Sequence, residues 1–503
     1  MKKSIALLLC ILMLLPLAVS CSNNSQTGGT ETAPTQTGTV TPTAAENVDD
    51  ENLTDYERRQ LIPDDLPDVK FDGKIFRVLT TSDGYGGKII KRDEIVVDEL
   101  NGDACNDAVY NRNINIEERF GIKIECETDD NPQTYVNTLV TSGTNDYQLV
   151  GFYNYLAASA ISAGSLLNWH EVPNVNLDKP WHNSLANDNA TIFGKLFAIC
   201  SDLSITSMTY TYGIFANIPM LDDVGFKTSD IYGTVTEGKW TIDYFTSIVA
   251  DMYQDKNGDG KQDKDDIYGF GYEVTNPADV WLAAFDQPLT QPDPEKGITV
   301  TFMTDKTVAA IEKMIDFHYN NPGEFTYPSQ YDEETYFLNS KLVFAPLRFY
   351  TAYNVLREME DPYTIVPWPK WDEAQETYYT NADDKFTAFG LPLTVYSDLD
   401  YVTVIYEALC AESYKKVYPE YYDTALKGKY SAERETAEMV DLIMEGRAFD
   451  VAFEFSGTLS DLPYLFRKQI QSGSPNIASK YKSIEKSLSK NAPKQINKMY
   501  GGD

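Results

Sequence analysis

Between Ile75 and Phe152 short apolar runs alternate with stretches of helical spacing, and this alternation limits the fold more sharply than any other feature of the chain. Ile75-Phe76-Arg77-Val78-Leu79-Thr80 reads as a strand, and Thr81-Ser82-Asp83-Gly84-Tyr85-Gly86-Gly87 as the loop after it. From Asp103 to Phe120 the apolar residues Ala104, Ala108, Val109, Ile116 and Phe120 fall at helical spacing, with Gly121 as a stop. Ile122-Lys123-Ile124-Glu125-Cys126 is again a strand, a helix follows from Asn131, and Gln148-Leu149-Val150-Gly151-Phe152 is a third strand. Strand, helix, strand with short links implies a parallel sheet covered by helices on both faces, an α/β fold. In such a sheet ligands sit outside the carboxyl ends of the strands. That places Ser82 to Tyr85 and Tyr153 to Tyr155 on one rim.

The rest of the chain reads differently. From about Asp202 the pattern is helical and strand-poor. Trp240-Thr241-Ile242-Asp243 opens a helix with Thr241 as its cap, and helical stretches recur near Asp305 to Tyr319, Val402 to Tyr414 and from Pro419 onward. No internal repeat is visible. Before about Phe71 there is little to bury. Residues from Ser22 to about Val48 are mostly Ser, Thr, Gly, Asn, Ala and Pro, which reads as a flexible tether with a coil reach of roughly 30 Å.

The first twenty residues read as a secretory signal: Lys2 and Lys3, then an apolar run from Ile5 to Leu17. The run ends Leu17-Ala18-Val19-Ser20-Cys21, which is similar to a bacterial lipobox, with Leu17 one place early. Cys21 is therefore the expected lipidation site, and lipid chains supply about 0.8 kcal/mol of anchoring per buried methylene. This places the body on the outer face of the cell membrane, held through the lipid anchor. Cleavage there removes two lysines and takes the formal charge from −34 to −36. So acidic a chain repels phosphate backbones, which excludes nucleic acid as a partner, and it argues against docking on an anionic bilayer through a basic face. Cys105, Cys126, Cys200 and Cys410 remain after processing. Their spacing contains no CxxC pair and fixes no disulfide connectivity; buried free thiols acting as small hydrophobes are the favoured reading, and disulfides in an exported protein are the alternative.

Residues 255–266 read Asp-Lys-Asn-Gly-Asp-Gly-Lys-Gln-Asp-Lys-Asp-Asp. Oxygen-bearing side chains fall at Asp255, Asn257, Asp259, Asp263 and Asp266, Lys261 offers a backbone carbonyl, and Gly260 stands where the turn needs no Cβ. This spacing predicts a structural Ca2+ site. Asp266 replaces the usual bidentate Glu at the last position.

Catalytic constellations are absent: no Gly-x-Ser-x-Gly, no phosphate-binding P-loop and no His-Glu-x-x-His. Only His170, His182 and His318 are available as histidine bases or ligands. Aromatic side chains are the other signal, because sugar faces stack on Trp and Tyr while carboxylates and amides bind hydroxyls. Asp83, Tyr85, Tyr153, Tyr155, Tyr210, Tyr212, Trp281, Arg348 and Tyr350 lie in segments expected to line a ligand cleft.

Several stretches carry a resemblance to a known family. They are Asn101-Gly102-Asp103, Asn106-Asp107-Ala108-Val109-Tyr110 with Arg112-Asn113, Glu117-Glu118-Arg119-Phe120, Asp178-Lys179-Pro180-Trp181 and Gly238-Lys239-Trp240-Thr241. The 255–266 loop with Tyr268-Gly269, Pro367-Trp368-Pro369-Lys370-Trp371-Asp372, Glu407 to Ser413 and Lys427-Gly428-Lys429-Tyr430 complete the set. From the lipobox to about Phe455 the chain resembles an extracellular solute-binding protein of the carbohydrate-uptake type, the lipid-anchored receptor of an ABC importer in a Gram-positive bacterium. The resemblance implies a two-lobed, periplasmic-binding-protein-like fold of type II, with segments that cross the hinge between the lobes. Carried onto this chain, residues 1–20 are the signal and 21–55 the tether. Lobe one is then 70–200 plus 362–415, and lobe two 201–361 plus 416–495.

The function expected is non-enzymatic. A sugar, with an oligosaccharide the first expectation, is trapped between the lobes and handed to the ABC permease by a monomeric receptor. A secreted glycoside-active enzyme and a receptor for peptides or another solute are the alternatives.

Overall fold

The structure is a computed structural model and describes residues 53–82, 91–327, 332–427 and 434–501. The expected signal, lipid-bearing Cys21, most of the tether, Asp83 and Tyr85 lie outside these residues. The strands are β1 (Ile75–Thr81), β2 (Lys123–Asp129), β3 (Leu149–Tyr153), β4 (Tyr212–Asn217), β5 (Tyr268–Tyr272), β6 (Thr290–Asp293) and β7 (Gly297–Val300). They continue as β8 (Glu324–Thr326), β9 (Leu342–Arg348), β10 (Tyr363–Val366), β11 (Thr380–Asn381), β12 (Thr387–Gly390) and β13 (Arg447–Ala448).

Lobe one is built on a four-stranded sheet in the order β12-β3-β1-β2, with β1, β2 and β3 parallel and β12 antiparallel to β3. Its first helix, Ala104–Phe120, has the expected limits for local reasons. The Asp103 carboxylate accepts the backbone N–H groups of Cys105 and Asn106, and Gly121 closes the helix at φ +65°. The helix buries Ala108, Val109, Ile116 and Phe120. Its Arg112 is fully buried, donating to the carbonyls of Glu94 and Ile95 and to Ser413. The next helix, Pro132–Ser142, starts on a proline and stops at left-handed Gly143.

Lobe two carries a five-stranded sheet, β10-β4-β9-β5-β8. Here β5, β8 and β9 are parallel, and β4 runs antiparallel to both β9 and β10. The sequence after Asp202 is therefore not strand-poor. Every residue of β4, β5, β9 and β10 is buried, so these strands show no polar–apolar alternation to mark them. The helix Ile242–Ala250, capped by Thr241 as its sequence predicts, lies so close on β5 that a Cβ on Gly269 would stand 2.8 Å from the Val249 carbonyl oxygen.

The chain passes between the lobes three times. The first passage runs through residues 202–211. The second is later than position 362, because Tyr363–Val366 pairs with β4 and belongs to lobe two; the return occupies 367–386. In the third, the helix Leu399–Glu412 continues into the π-helical turns Ser413–Val417 and Glu420–Lys427. β11 and β13 pair in parallel and so fasten the second passage to the chain that follows the third. The helices Leu465–Ser472, Ile477–Lys486 and Ala492–Met499 cover lobe two, and the Tyr500 carbonyl accepts the Lys195 ammonium of lobe one at 2.6 Å.

The four cysteines named above are free thiols, three of them buried. No helix among the described residues is long and apolar enough to cross a membrane.

Candidate functional site

Two strand ends, Tyr153 of β3 in lobe one and Arg348 of β9 in lobe two, come together at a seam where the second passage bonds to both sides. On the lobe-one side β3 ends in Tyr153, and Tyr153 and Tyr155 stack with centroids 5.8 Å apart. The N–H groups of Asn154 and Tyr155 donate to the carbonyls of Phe386 and Asp384, at 3.0 and 3.1 Å. On the lobe-two side β9 ends in Arg348, only 5 % exposed. Its guanidinium donates to Asp383 and to the Tyr350 hydroxyl, each at 3.2 Å, and lies 3.5 Å from Glu334. It also lies over the rings of Tyr350, Tyr210 and Tyr212, at 4.6, 5.7 and 5.8 Å. Asp383 collects two further donors from lobe two, the Tyr212 hydroxyl at 3.3 Å and the Asn276 amide at 3.0 Å.

Beside this cluster lies a cavity of about 300 Å³. Lobe one contributes Asn154 and Cys200, lobe two Asp279, Leu282 and Thr290, the second passage Asn381, Asp384 and Phe386, and the C-terminal segment Phe449, Asp450 and Glu454. The cavity and the cluster share walls. Asp384 accepts the Tyr464 hydroxyl at 2.9 Å, and Asp279 pairs with Arg467 at 2.7 Å. Burial dominates the electrostatics here. It pushes the carboxyls of Asp279 and Glu454 up to about 8. It raises Asp384 strongly, helped by the adjacent Asp383, and it lowers the Lys385 ammonium to about 7. A second hollow of about 710 Å³, between Asp103 of lobe one and Tyr353 and Arg357 of lobe two, is bridged at one edge by an Arg357–Asp103 pair at 3.3 Å.

The structure thus gathers Tyr153, Tyr155, Tyr210, Tyr212, Arg348 and Tyr350 at one seam, although these side chains flank the 300 Å³ cavity rather than line it. Trp281 is elsewhere. It has no exposed surface, donates its indole N–H to the Tyr272 hydroxyl at 3.0 Å, and packs edge-on against Trp368 at 4.6 Å inside lobe two. Its own helix, Asn276–Ala284, turns Asp279 and Leu282 to the cavity and Trp281 to the core. Asp279, Asn381, Asp384 and Glu454 are lining residues that sequence reading did not single out. They come from four remote segments of an acidic chain, and the charged triplet Asp383-Asp384-Lys385 before β12 was the one local signal.

The 255–266 loop folds on itself. Asp255 accepts the N–H groups of Gly258 and Gly260 at 2.6 and 2.9 Å, Asn257 that of Asp259, Asp259 that of Lys261, and Asp263 that of Asp265. Gly260 takes φ +73°. Asp266 is enclosed, its two oxygens accepting the Lys256 N–H, the Asp263 N–H and the Tyr253 hydroxyl. Among the described residues no three His, Cys, Asp or Glu side chains converge as a metal cluster. The remaining oxygens that suit a hard cation are those of Asp255, Asn257, Asp259 and Asp263 and the Lys261 carbonyl. Two of the three histidines are buried against a carboxylate, His182 on Glu407 at 2.8 Å and His318 on Glu324 at 2.9 Å, while His170 is exposed beside the Thr191 hydroxyl.

No protein-family model matches the sequence, and no curated protein matches it. Solved structures do match. An ABC substrate-binding protein from Listeria monocytogenes in complex with cycloalternan is 15 % identical with a TM-score of 0.50, over 86 % of this chain and 100 % of its own. The maltose/maltodextrin-binding domain MalE from Bdellovibrio bacteriovorus bound to maltotriose is 12 % identical with a TM-score of 0.52, over 84 % and 100 %. An ABC transporter solute-binding protein from Thermotoga lettingae bound with α-D-tagatose is 12 % identical with a TM-score of 0.51, over 83 % and 100 %. At such low identity the likeness speaks for architecture, and in architecture the chain is a two-lobed α/β protein of the MalE type.

Proposed function

We propose that the chain is the solute-binding receptor of an ABC importer, taking up a sugar of one or more units between its lobes and releasing it unchanged to a permease. The observation that carries this reading is the seam itself. Strand ends from both lobes meet there around tyrosines, buried carboxylates and a cavity of about 300 Å³, the lower end of the size range of ligand sites. The solved relatives in fold bind cycloalternan, maltotriose and tagatose, which makes carbohydrate the first ligand class to try. The same reading makes Cys21 the lipid-bearing residue, sets a monomeric body on the outer face of the membrane, and gives the 255–266 loop a structural Ca2+ with Asp255, Asn257, Asp259, Lys261, Asp263 and Asp266 as its expected ligands, Asp266 having first to release the donors it now accepts.

Thermal shift against mono- and oligosaccharides, with peptides alongside, tests the reading. A ligand of the folded form raises the melting temperature as the logarithm of its concentration over Kd. The expected result is such a rise for at least one sugar, with the sugar recovered intact. A rise with peptides alone, or sugar consumed at enzymatic rates, overturns the reading.

A further inference from the structure

The residues before Phe71 offer little to bury, yet those from Thr54 onward are fastened at two places. The later part of this segment is seated on lobe one. Asp64 pairs with Arg119 of the helix Ala104–Phe120, and Lys179 donates to the Pro63 carbonyl and to Asp65 at 2.7 and 2.6 Å. The Phe71 N–H donates to the Phe120 carbonyl at 2.8 Å, and Ile62, Leu66, Val69 and Phe71 pack on the lobe-one core.

The earlier part, a helix from Asp55 to Leu61 capped by Thr54, grips the third passage. The Arg59 guanidinium lies 4.7 Å from the ring of Tyr414 and 4.7 Å from that of Tyr418, and Gln60 donates to the Lys415 carbonyl at 2.8 Å. The Arg59 charge also reaches Asp202 of the first passage and Asp423 of the third, opposing the rise that burial gives both carboxyls.

The place gripped is where the third passage changes lobes. Tyr414 neighbours Trp181 of lobe one at 6.3 Å, whereas Tyr421 packs on Tyr353 and Tyr422 donates to Asp441, both of lobe two. Tyr418 stands between, 6.4 Å from Tyr414 and 5.5 Å from Tyr422. Pro419 follows it and has no N–H to give the helix ladder, and wide π-helical turns lie on either side, Ser413–Val417 and Glu420–Lys427. A helix bends most easily at such a point. We propose that residues 54–71 form a brace: seated on lobe one, they clamp the third passage at the turn before its proline and so limit how far the lobes open. The brace goes beyond the receptor reading and needs only the two-lobed fold.

Hydrogen exchange and small-angle scattering on the full, ligand-free chain test the brace. Arg59→Ala takes the cation from between the rings, and Gln60→Ala, at an exposed position, removes only the bond to Lys415. With the cation gone we expect the amides of 413–427 to exchange about tenfold faster and the radius of gyration to rise, and Gln60→Ala to show the same changes to a smaller extent. Unchanged exchange there in both variants, or faster exchange confined to residues 54–66, overturns the proposal and makes the helix 55–61 a passenger. Faster exchange in the passage at an unchanged radius of gyration overturns it too, because the grip then stiffens a helix without setting the lobes. If Arg59→Ala does not fold, Gln60→Ala decides the matter. None of these outcomes bears on what the cavity binds, so the receptor reading stands or falls by its own test.

Discussion

Trp281 and Arg348 were drawn from the same sequence argument and ended in opposite places. Trp281 lies in the core of lobe two, so Trp281→Ala leaves a void there and costs about 3–5 kcal/mol. Urea unfolding reads that loss, and the variant that remains folded binds ligand with unchanged Kd. Arg348 balances Asp383 and Glu334 in a buried site, and Arg348→Ala leaves both acids uncompensated, again at about 3–5 kcal/mol. Arg348→Ala, unlike Trp281→Ala, also disturbs the seam and weakens binding. The buried acids give a pH signature. Glu454 and Asp279 hold protons in the folded chain up to about pH 8 and release them near their ordinary values, 4.5 and 3.8, when unfolded. The folded state therefore binds more protons between about pH 4 and 8, and these groups make stability fall as pH rises through that window. Denaturation curves measured from pH 5 to 8 should show a shallower decline for Glu454→Gln than for the parent. That the sequence draws the eye to Arg348 and not to Glu454 is a matter of local context. Arg348 closes an otherwise apolar run from Leu342 to Leu347, where a charged residue stands out. Glu454 sits among acids and aromatics, and only packing between remote segments tells it apart.

At the scale of elements, helix 104–120 and loop 255–266 were readable because their signals are local: a cap, a glycine stop, and oxygens at fixed spacing. Asp103 also reaches across the seam, accepting the Tyr353 hydroxyl and pairing with Arg357 of lobe two. Asp103→Ala therefore removes a helix cap, worth about 0.5–2 kcal/mol, and an interlobe contact at once. Arg357→Ala spares the cap. Small-angle scattering of the ligand-free protein should show Arg357→Ala more open than the parent at nearly unchanged melting temperature, and Asp103→Ala both open and less stable. In the loop, a chelator should lower the melting temperature, and calcium should restore it. No response to either would leave the loop held by its own hydrogen bonds alone, with Asp266 already engaged by three donors. Apart from the apolar run of β9, the short strands of lobe two carry no such local signal. They are buried on both faces, and their pairing partners lie up to about a hundred and fifty residues away, as in β4 and β10.

On the scale of the whole molecule, the alternation from Ile75 to Phe152 foretold the parallel core of lobe one but not its fourth strand, which the chain delivers only after building most of lobe two. β12 lies beside β3, yet 234 residues separate Tyr153 from Thr387. Synthesis at about 5–20 residues per second leaves the edge of β3 bare for roughly ten to fifty seconds as the polypeptide emerges. A naked strand edge invites wrong pairing. The order of the passages thus favours keeping the nascent chain extended until the late segment arrives.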